Sequence, residues 1–165
     1  MKRMRAMFKG HESGIQNVVF SPNGRSLASA SFNRSVQIWN IHDGSSNVLG
    51  SGNQFLSVAF SPDGRYVAAG DYWGSLWIWD SRTHTLVATW RGHTEIVWCI
   101  RFTPDGDELV SGGLDNVVKY WDVRSLGNRQ GVSSGTIGNG EQSFPETRTF
   151  LGHSVRRIFP FILQC

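Results

Sequence analysis

Apolar and polar positions alternate with a period of two along short runs, and each run ends in a turn signal. Val18 and Phe20, Val58 and Phe60, and Ile100 and Phe102 each mark one apolar strand face. Every such pair is followed by a turn element: SPNGR from Ser21, SPDGR from Ser61 and TPDGD from Thr103. Proline presets φ for the turn, and glycine takes the positive φ that closes the hairpin. A second strand follows as SLASA, YVAAG or ELVSG, then a third as SVQIW, SLWIW or VVKYW. The outer strands are weaker: SNVLG, TLVATW and, after a long gap, RTFLG. No stretch carries a convincing helical period, so the pattern predicts an all-β chain.

The turn elements at Ser21, Ser61 and Thr103 recur with periods of 40 and 42 residues. Each is followed 19 residues on by the end of a Trp-Asn or Trp-Asp pair, at Asn40, Asp80 and Asp122. Each is preceded, 11 residues upstream, by a glycine: Gly10-His11, Gly50-Ser51 and Gly92-His93. The period and the Gly-His to Trp-Asp bracket are those of four-stranded propeller blades. On these residues the chain resembles the WD-repeat β-propeller family over roughly residues 7–125, with a return at 147–153. The resemblance implies a partial, open propeller of three four-stranded blades, at about 7–48, 49–90 and 91–125 within a repeat region 1–125, plus the start of a fourth. Residues 126–146 are Gly/Ser/Asn-rich and read as a flexible insertion. Residues 147–165 read as an outer strand and a truncated fourth repeat, with Pro160 interrupting SVRRIFPFILQC. Propeller rings close with about 4–8 blades. Three repeats are therefore expected to be a fragment or a truncated gene product, or to need another chain or the missing repeats to close a ring.

The family resemblance also implies a relay of histidine, serine, aspartate and tryptophan inside each blade. A neutral imidazole bridges a carboxylate and a hydroxyl, and the hydroxyl reaches an indole N–H that needs a partner once buried. The third repeat has His93, Ser111, Asp115 and Trp121 at these positions. The first has His11, Ser29, Asn33 and Trp39; its asparagine is neutral, so that bond is expected to be weaker by ~1 kcal/mol. The second has Ser51, Ala69, Trp73 and Trp79, and so keeps only the tryptophan. A His/Ser/Asp set also suggests nucleophilic catalysis. A serine bonded to tryptophan within a sheet is out of a substrate's reach, so no catalytic residue is expected.

The segment DYWGSLWIWD, residues 71–80, concentrates three of the seven tryptophans. Trp79 belongs to the framework. Trp77 lies two residues earlier on the same strand face, where the other repeats have Gln37 and Lys119, and is expected to be half exposed. Trp73 stands where the other repeats place the relay carboxylate or amide. The main expectation is a plug filling the space left by the small Ser51 and Ala69; the alternative turns it outward beside Tyr72. The resemblance further implies a partner-binding face where the Gly-His loops meet the turns between second and third strands. The positions it singles out here include Phe32, Leu56, Tyr72, Ile96, Trp98 and Leu114. Large apolar and aromatic anchors of this kind dominate protein–protein affinity.

Composition narrows the function further. The net charge is +3, and Lys2, Arg3, Arg5 and Lys9 supply four positives, so the remainder sums to about −1. That is not a nucleic-acid surface. No run approaches the ~18 apolar residues of a membrane span. The two cysteines, Cys99 and Cys165, fit neither a disulfide framework nor zinc-ligand spacing, which favours a reducing, intracellular setting, nuclear or cytoplasmic. Gly131-Val132-Ser133-Ser134-Gly135 matches the serine-hydrolase elbow pattern, but the strand before it and the helix after it are missing from the pattern. No phosphate loop or metal-ligand set is evident, and no cofactor is expected.

Within the family, the chain is most similar to the carboxy-terminal propeller of fungal Tup-type transcriptional corepressors. The residues carrying this are YVAAGDYWGSLWIWDSRTHTLV, LVSGGLDNVVKYWDV, and the long polar insertion before TFLGH. It implies a non-catalytic scaffold whose partners are other proteins, DNA-bound repressors among them, without direct contact to DNA. The alternatives are another WD-repeat scaffold, such as a ubiquitin-ligase substrate adaptor, or an inert truncated paralogue.

Overall fold

The structure is a computed structural model that describes residues 6–128 and the strand at 146–151. It contains three four-stranded antiparallel sheets, each with its strands in sequence order. The first blade is β1 (Ile15–Phe20), β2 (Ser26–Ser31), β3 (Ser35–Asn40) and β4 (Ser46–Ser51). The second is β5 (Phe55–Phe60), β6 (Tyr66–Asp71), β7 (Ser75–Asp80) and β8 (Leu86–Arg91). The third is β9 (Val97–Phe102), β10 (Glu108–Gly113), β11 (Val117–Asp122) and β12 (Glu146–Leu151). A 3-10 turn, Arg124–Asn128, follows β11. The bulk of the expected insertion, and the expected start of a fourth repeat with Pro160, lie outside the described residues, as does the elbow-like Ser133. Cys99 is buried in β9. Cys165 lies outside the described residues.

The turn chemistry explains why the first hairpin repeats so closely. Gly24, Gly64 and Gly106 have φ of 67°, 74° and 79°, conformations that glycine adopts without steric cost. The hydroxyls of Ser21, Ser61 and Thr103 donate to the side chains of Asn23, Asp63 and Asp105. Those same side chains accept the backbone N–H two residues on, at Arg25, Arg65 and Asp107. Each turn therefore closes on its own polar side chains.

The sheets pack face to face in an open arc, with the first strand of each against the first strand of the next. The back of the first blade offers Ala28, Ala30, Val36, Ile38 and Leu49 to Phe55, Val58, Val67, Ala69 and Trp79 of the second. The second blade repeats the pattern: Ala59, Ala68, Leu76 and Ile78 meet Val97, Ile100, Leu109 and Trp121 of the third. Small and aliphatic residues on one face thus receive the large rings of the next. Inner-strand amides are joined across the gap as well. Val58 N donates to Asn17 Oδ1 at 3.3 Å, and Ile100 N donates to Ser57 Oγ at 2.9 Å.

The first blade shows what this packing does, because among the described residues no sheet lies in front of it. Ile15 is 51% exposed, whereas its counterparts Phe55 and Val97 are 1% and 0% exposed. Val18, Phe20 and Val48 are exposed on the same flank. Burying such side chains stabilises by roughly 1.5–3 kcal/mol each, a gain that the second and third blades have and the first lacks.

The recurring glycine before each repeat has a packing reason. A Cβ on Gly50 would lie 2.5 Å from the indole of Trp79, and one on Gly92 would lie 2.8 Å from Trp121. On Gly10 it would lie 3.0 Å from Trp39. Each framework tryptophan thus packs against a glycine, which for Trp79 and Trp121 lies at the end of the preceding outer strand. Trp79 is fully buried and has no room to yield. Gly50→Ala is expected to destabilise the chain by about 1–3 kcal/mol, the usual cost of overpacking. Gly112→Ala is the control, since nothing lies within 4 Å of its would-be Cβ. Urea denaturation of the two variants checks this; equal midpoints would contradict the account.

Candidate protein-binding face

The third blade holds a complete polar relay. Trp121 Nε1 donates to Ser111 Oγ at 2.8 Å, and Ser111 Oγ lies 2.7 Å from His93 Nε2. His93 Nδ1 is 2.9 Å from both oxygens of Asp115. The indole N–H leaves Ser111 free to donate onward, so Nδ1 carries the imidazole proton and gives it to the carboxylate. All donors point one way, ending on a charge. Asp115 also accepts the amides of Thr94 and Val117. Burial pushes the Asp115 carboxyl up. The bonds from His93 and from those amides more than offset that, and hold it below the usual carboxylate range. Ser111 is 1% exposed and committed to tryptophan, so it is not an accessible nucleophile. Among the described residues there is no cluster of three or more His, Cys, Asp or Glu able to hold a metal.

The first blade repeats this with a neutral end. Trp39 Nε1 donates to Ser29 Oγ at 2.7 Å, Ser29 Oγ lies 2.6 Å from His11 Nε2, and His11 Nδ1 lies 3.0 Å from Asn33 Oδ1. Ser35 Oγ donates to the same Asn33 oxygen at 2.8 Å. Burial lowers the pKa of His11, and its bond to Asn33 raises it only in part.

The second blade rebuilds the relay around a different residue. Asp71, 0% exposed, stands at the end of β6 where the other blades have Ser31 and Gly113. Its Oδ2 accepts from Asn53 Nδ2 at 2.7 Å and from Trp77 Nε1 at 2.8 Å. Its Oδ1 accepts the amides of Trp73 at 2.9 Å and Ser75 at 2.8 Å. Trp77 stacks on Trp79, with centroids 6.0 Å apart and planes within 8°. The expected plug is therefore corrected: Trp73 is 62% exposed, and the vacated space belongs to Trp77 and Asp71. Trp73 instead meets Tyr72 edge to face, at 5.4 Å and 79°. The sequence signal for this was present in Asp71 and Asn53, two polar residues at positions the repeat does not require.

Backbone bonds bring the expected face positions together. The amides of Phe32, Tyr72 and Leu114 donate to the carbonyls of Gly14, Gln54 and Ile96, at 3.1, 2.8 and 2.8 Å. Each turn between second and third strands is thereby tied to the loop that opens the inner strand. Each inner strand then carries one unpaired residue, at Gln16, Leu56 and Trp98, where the ladder skips a position. Such bulges re-aim a side chain out of the sheet. Phe32, Tyr72, Trp98 and Leu114 are exposed, and Ile96 is half-buried. Leu56 is only 5% exposed, which removes it from the accessible set. It sits on the middle blade, which has a sheet packed on either side.

Comparison with known proteins places this geometry among characterised ones. A family model described as the WD domain, G-beta repeat, matches residues 2–40, 45–80 and 84–122. The human U5 small nuclear ribonucleoprotein 40 kDa protein is 46% identical over 122 residues, covering 72% of this chain and 34% of the relative. Protein groucho of Drosophila melanogaster is 47% identical over 45 residues, covering 27% of this chain and 6% of groucho. The solved structure of U3-55K superposes with a TM-score of 0.74 at 25% identity, covering 88% of this chain and 42% of that one. The chain thus spans about a third or less of these two curated relatives.

The relays give the stability of the chain a pH dependence. His11 has a folded pKa below its unfolded value near 6.5, so the unfolded state binds more protons as pH falls through that region. Stability should therefore drop as pH falls from 7 towards 5. Asp115, depressed below 3.8, adds a further loss only at lower pH. Thermal midpoints measured at pH 7 and pH 5 are expected to differ less in His11→Gln than in the natural chain; an unchanged difference would contradict the assignment.

Proposed function

The chain belongs to the WD-repeat family, and on that premise we propose that it is a scaffold whose partner sits on the face displaying Phe32, Tyr72, Trp73, Trp98 and Leu114. Non-catalytic protein–protein interaction is the coarse reading, since the His/Ser/Asp sets are buried framework. The carrying observation for the finer one is that these five side chains stay exposed while strand ends around them are bonded and packed. Aromatic residues that do no work in a core are the usual anchors of an interface.

A general WD-repeat scaffold has better support than a corepressor. The match to the U5 particle protein covers most of this chain, whereas that to groucho covers 27% of it. The name of the former supports a nuclear setting for this chain as well. DNA-bound repressors remain the narrower partner class that the groucho match supports.

Tyr72→Ala and Trp98→Ala are each expected to abolish at least nine-tenths of the binding of co-purifying proteins, with an unchanged β-sheet circular dichroism spectrum. Leu86→Ala, at an exposed position on outer strand β8, serves as the control. Quantitative affinity capture with the four chains checks this. Equal capture by all of them would overturn the assignment of the face.

A further inference from the structure

Trp73 and Tyr72 form a corner, with two ring planes at 79° and centroids 5.4 Å apart, both largely open to solvent. In such an edge-to-face pair the edge of one ring covers part of the other's face and leaves the remainder of both π faces uncovered in the angle between them. The face of an aromatic ring carries partial negative charge and attracts cations, tryptophan most of all.

The residue before them in the chain is a buried carboxylate, Asp71, 0% exposed. Asp71 accepts four N–H donors, from Asn53, Trp77, Trp73 and Ser75, which fills its lone-pair positions. None of those donors is a cation, and the ion pairs of the described residues do not include Asp71. The other relays differ: that of the first blade ends on a neutral asparagine, and that of the third on an aspartate bonded to histidine. The turn also abuts a second carboxylate-bearing loop, since a Cβ on Gly74 would lie 2.7 Å from the Glu95 carbonyl oxygen. Glu95 itself is exposed. Arg91, the nearest cation in sequence on that side, is turned to the carbonyls of His93 and Thr94.

We propose that Tyr72 and Trp73 form a two-walled aromatic site for a cationic side chain of the partner, a lysine ammonium or an arginine guanidinium, with Asp71 as its buried counter-charge. The site deepens the proposed function and rests on that reading for its biological partner. Asp71 has two tasks in it. It holds the turn through the amides of Trp73 and Ser75, and its field favours a cation over a neutral side chain of the same shape. Moving the relay to Asp71 is what frees the Trp73 ring to face outward.

The test titrates the whole chain with tetramethylammonium chloride, Nα-acetyl-lysine methylamide and Nα-acetyl-arginine methylamide at constant ionic strength. Nα-acetyl-norleucine methylamide is the neutral comparison. The indole N–H resonance of Trp73, assigned by its loss in Trp73→Leu, reports occupancy. A saturable shift is expected with at least one cation, at least about fivefold tighter than with the norleucine compound. Asp71→Asn should weaken it threefold or more. If Asp71→Asn does not fold, the exposed variant Tyr72→Leu takes its place, weakening the cation alone. No saturable shift with any cation, or an equal response to norleucine, overturns the proposal. Cation binding without loss of captured proteins in Tyr72→Ala would leave this site standing and remove the face reading; the converse result would do the opposite.

Discussion

A four-stranded sheet with apolar residues on both faces needs a neighbour on each side, and that requirement organises this molecule. The first strands of the three blades make the point within one chain. They occupy equivalent positions, yet Ile15 is open to solvent while Phe55 and Val97 are sealed by the sheet in front of them. The packing is also complementary in shape. Alanines and branched aliphatics on the back of one blade make room for the tryptophan and phenylalanine rings of the next. Trp79 and Trp121 each pack against a glycine at the end of the preceding outer strand, so a blade boundary in the sequence is a packing joint in space.

Polar relays then fix the position of each tryptophan within its joint. In the first and third blades the indole is bonded through serine and histidine to an amide or a carboxylate. Ser29, Trp39, His93, Ser111 and Trp121 are buried, and leaving any one of them unpaired would cost about 1–3 kcal/mol. The second blade meets the same demand with other residues. Asp71 gathers Asn53, Trp77 and two turn amides, and the stacked indoles fill the space that a histidine and a serine would occupy. A side chain released from the relay, Trp73, then becomes surface. Framework and surface are coupled in this way, since what one blade does inside decides what it shows outside.

Display on the candidate face depends on backbone detail more than on residue type. Bonds from Phe32, Tyr72 and Leu114 to the loops before the inner strands place equivalent residues side by side in successive blades. The skipped ladder positions at Gln16, Leu56 and Trp98 turn one residue per inner strand away from the sheet. Whether such a residue reaches solvent depends on its neighbours: Trp98 is exposed, and Leu56 on the middle blade is covered.

By itself the sequence determined the repeat, the strand order and the turns, because these rest on local rules. Alternation sets strand faces, Pro-Asn/Asp-Gly sets hairpins, and fixed spacings bind glycine, turn and tryptophan into one unit. The family resemblance also indicated which residues lie near one another in the third blade, which carries the full set of residue types, and in the first, which has asparagine for aspartate. Only the tertiary structure decided the fate of Trp73, the burial of Leu56 and the role of Asp71. Each of these depends on which groups from distant segments meet in space, and a buried donor takes whichever acceptor packing brings within reach. Asn53 and Trp77 are 18 and 6 residues from Asp71 and meet it only in the folded blade.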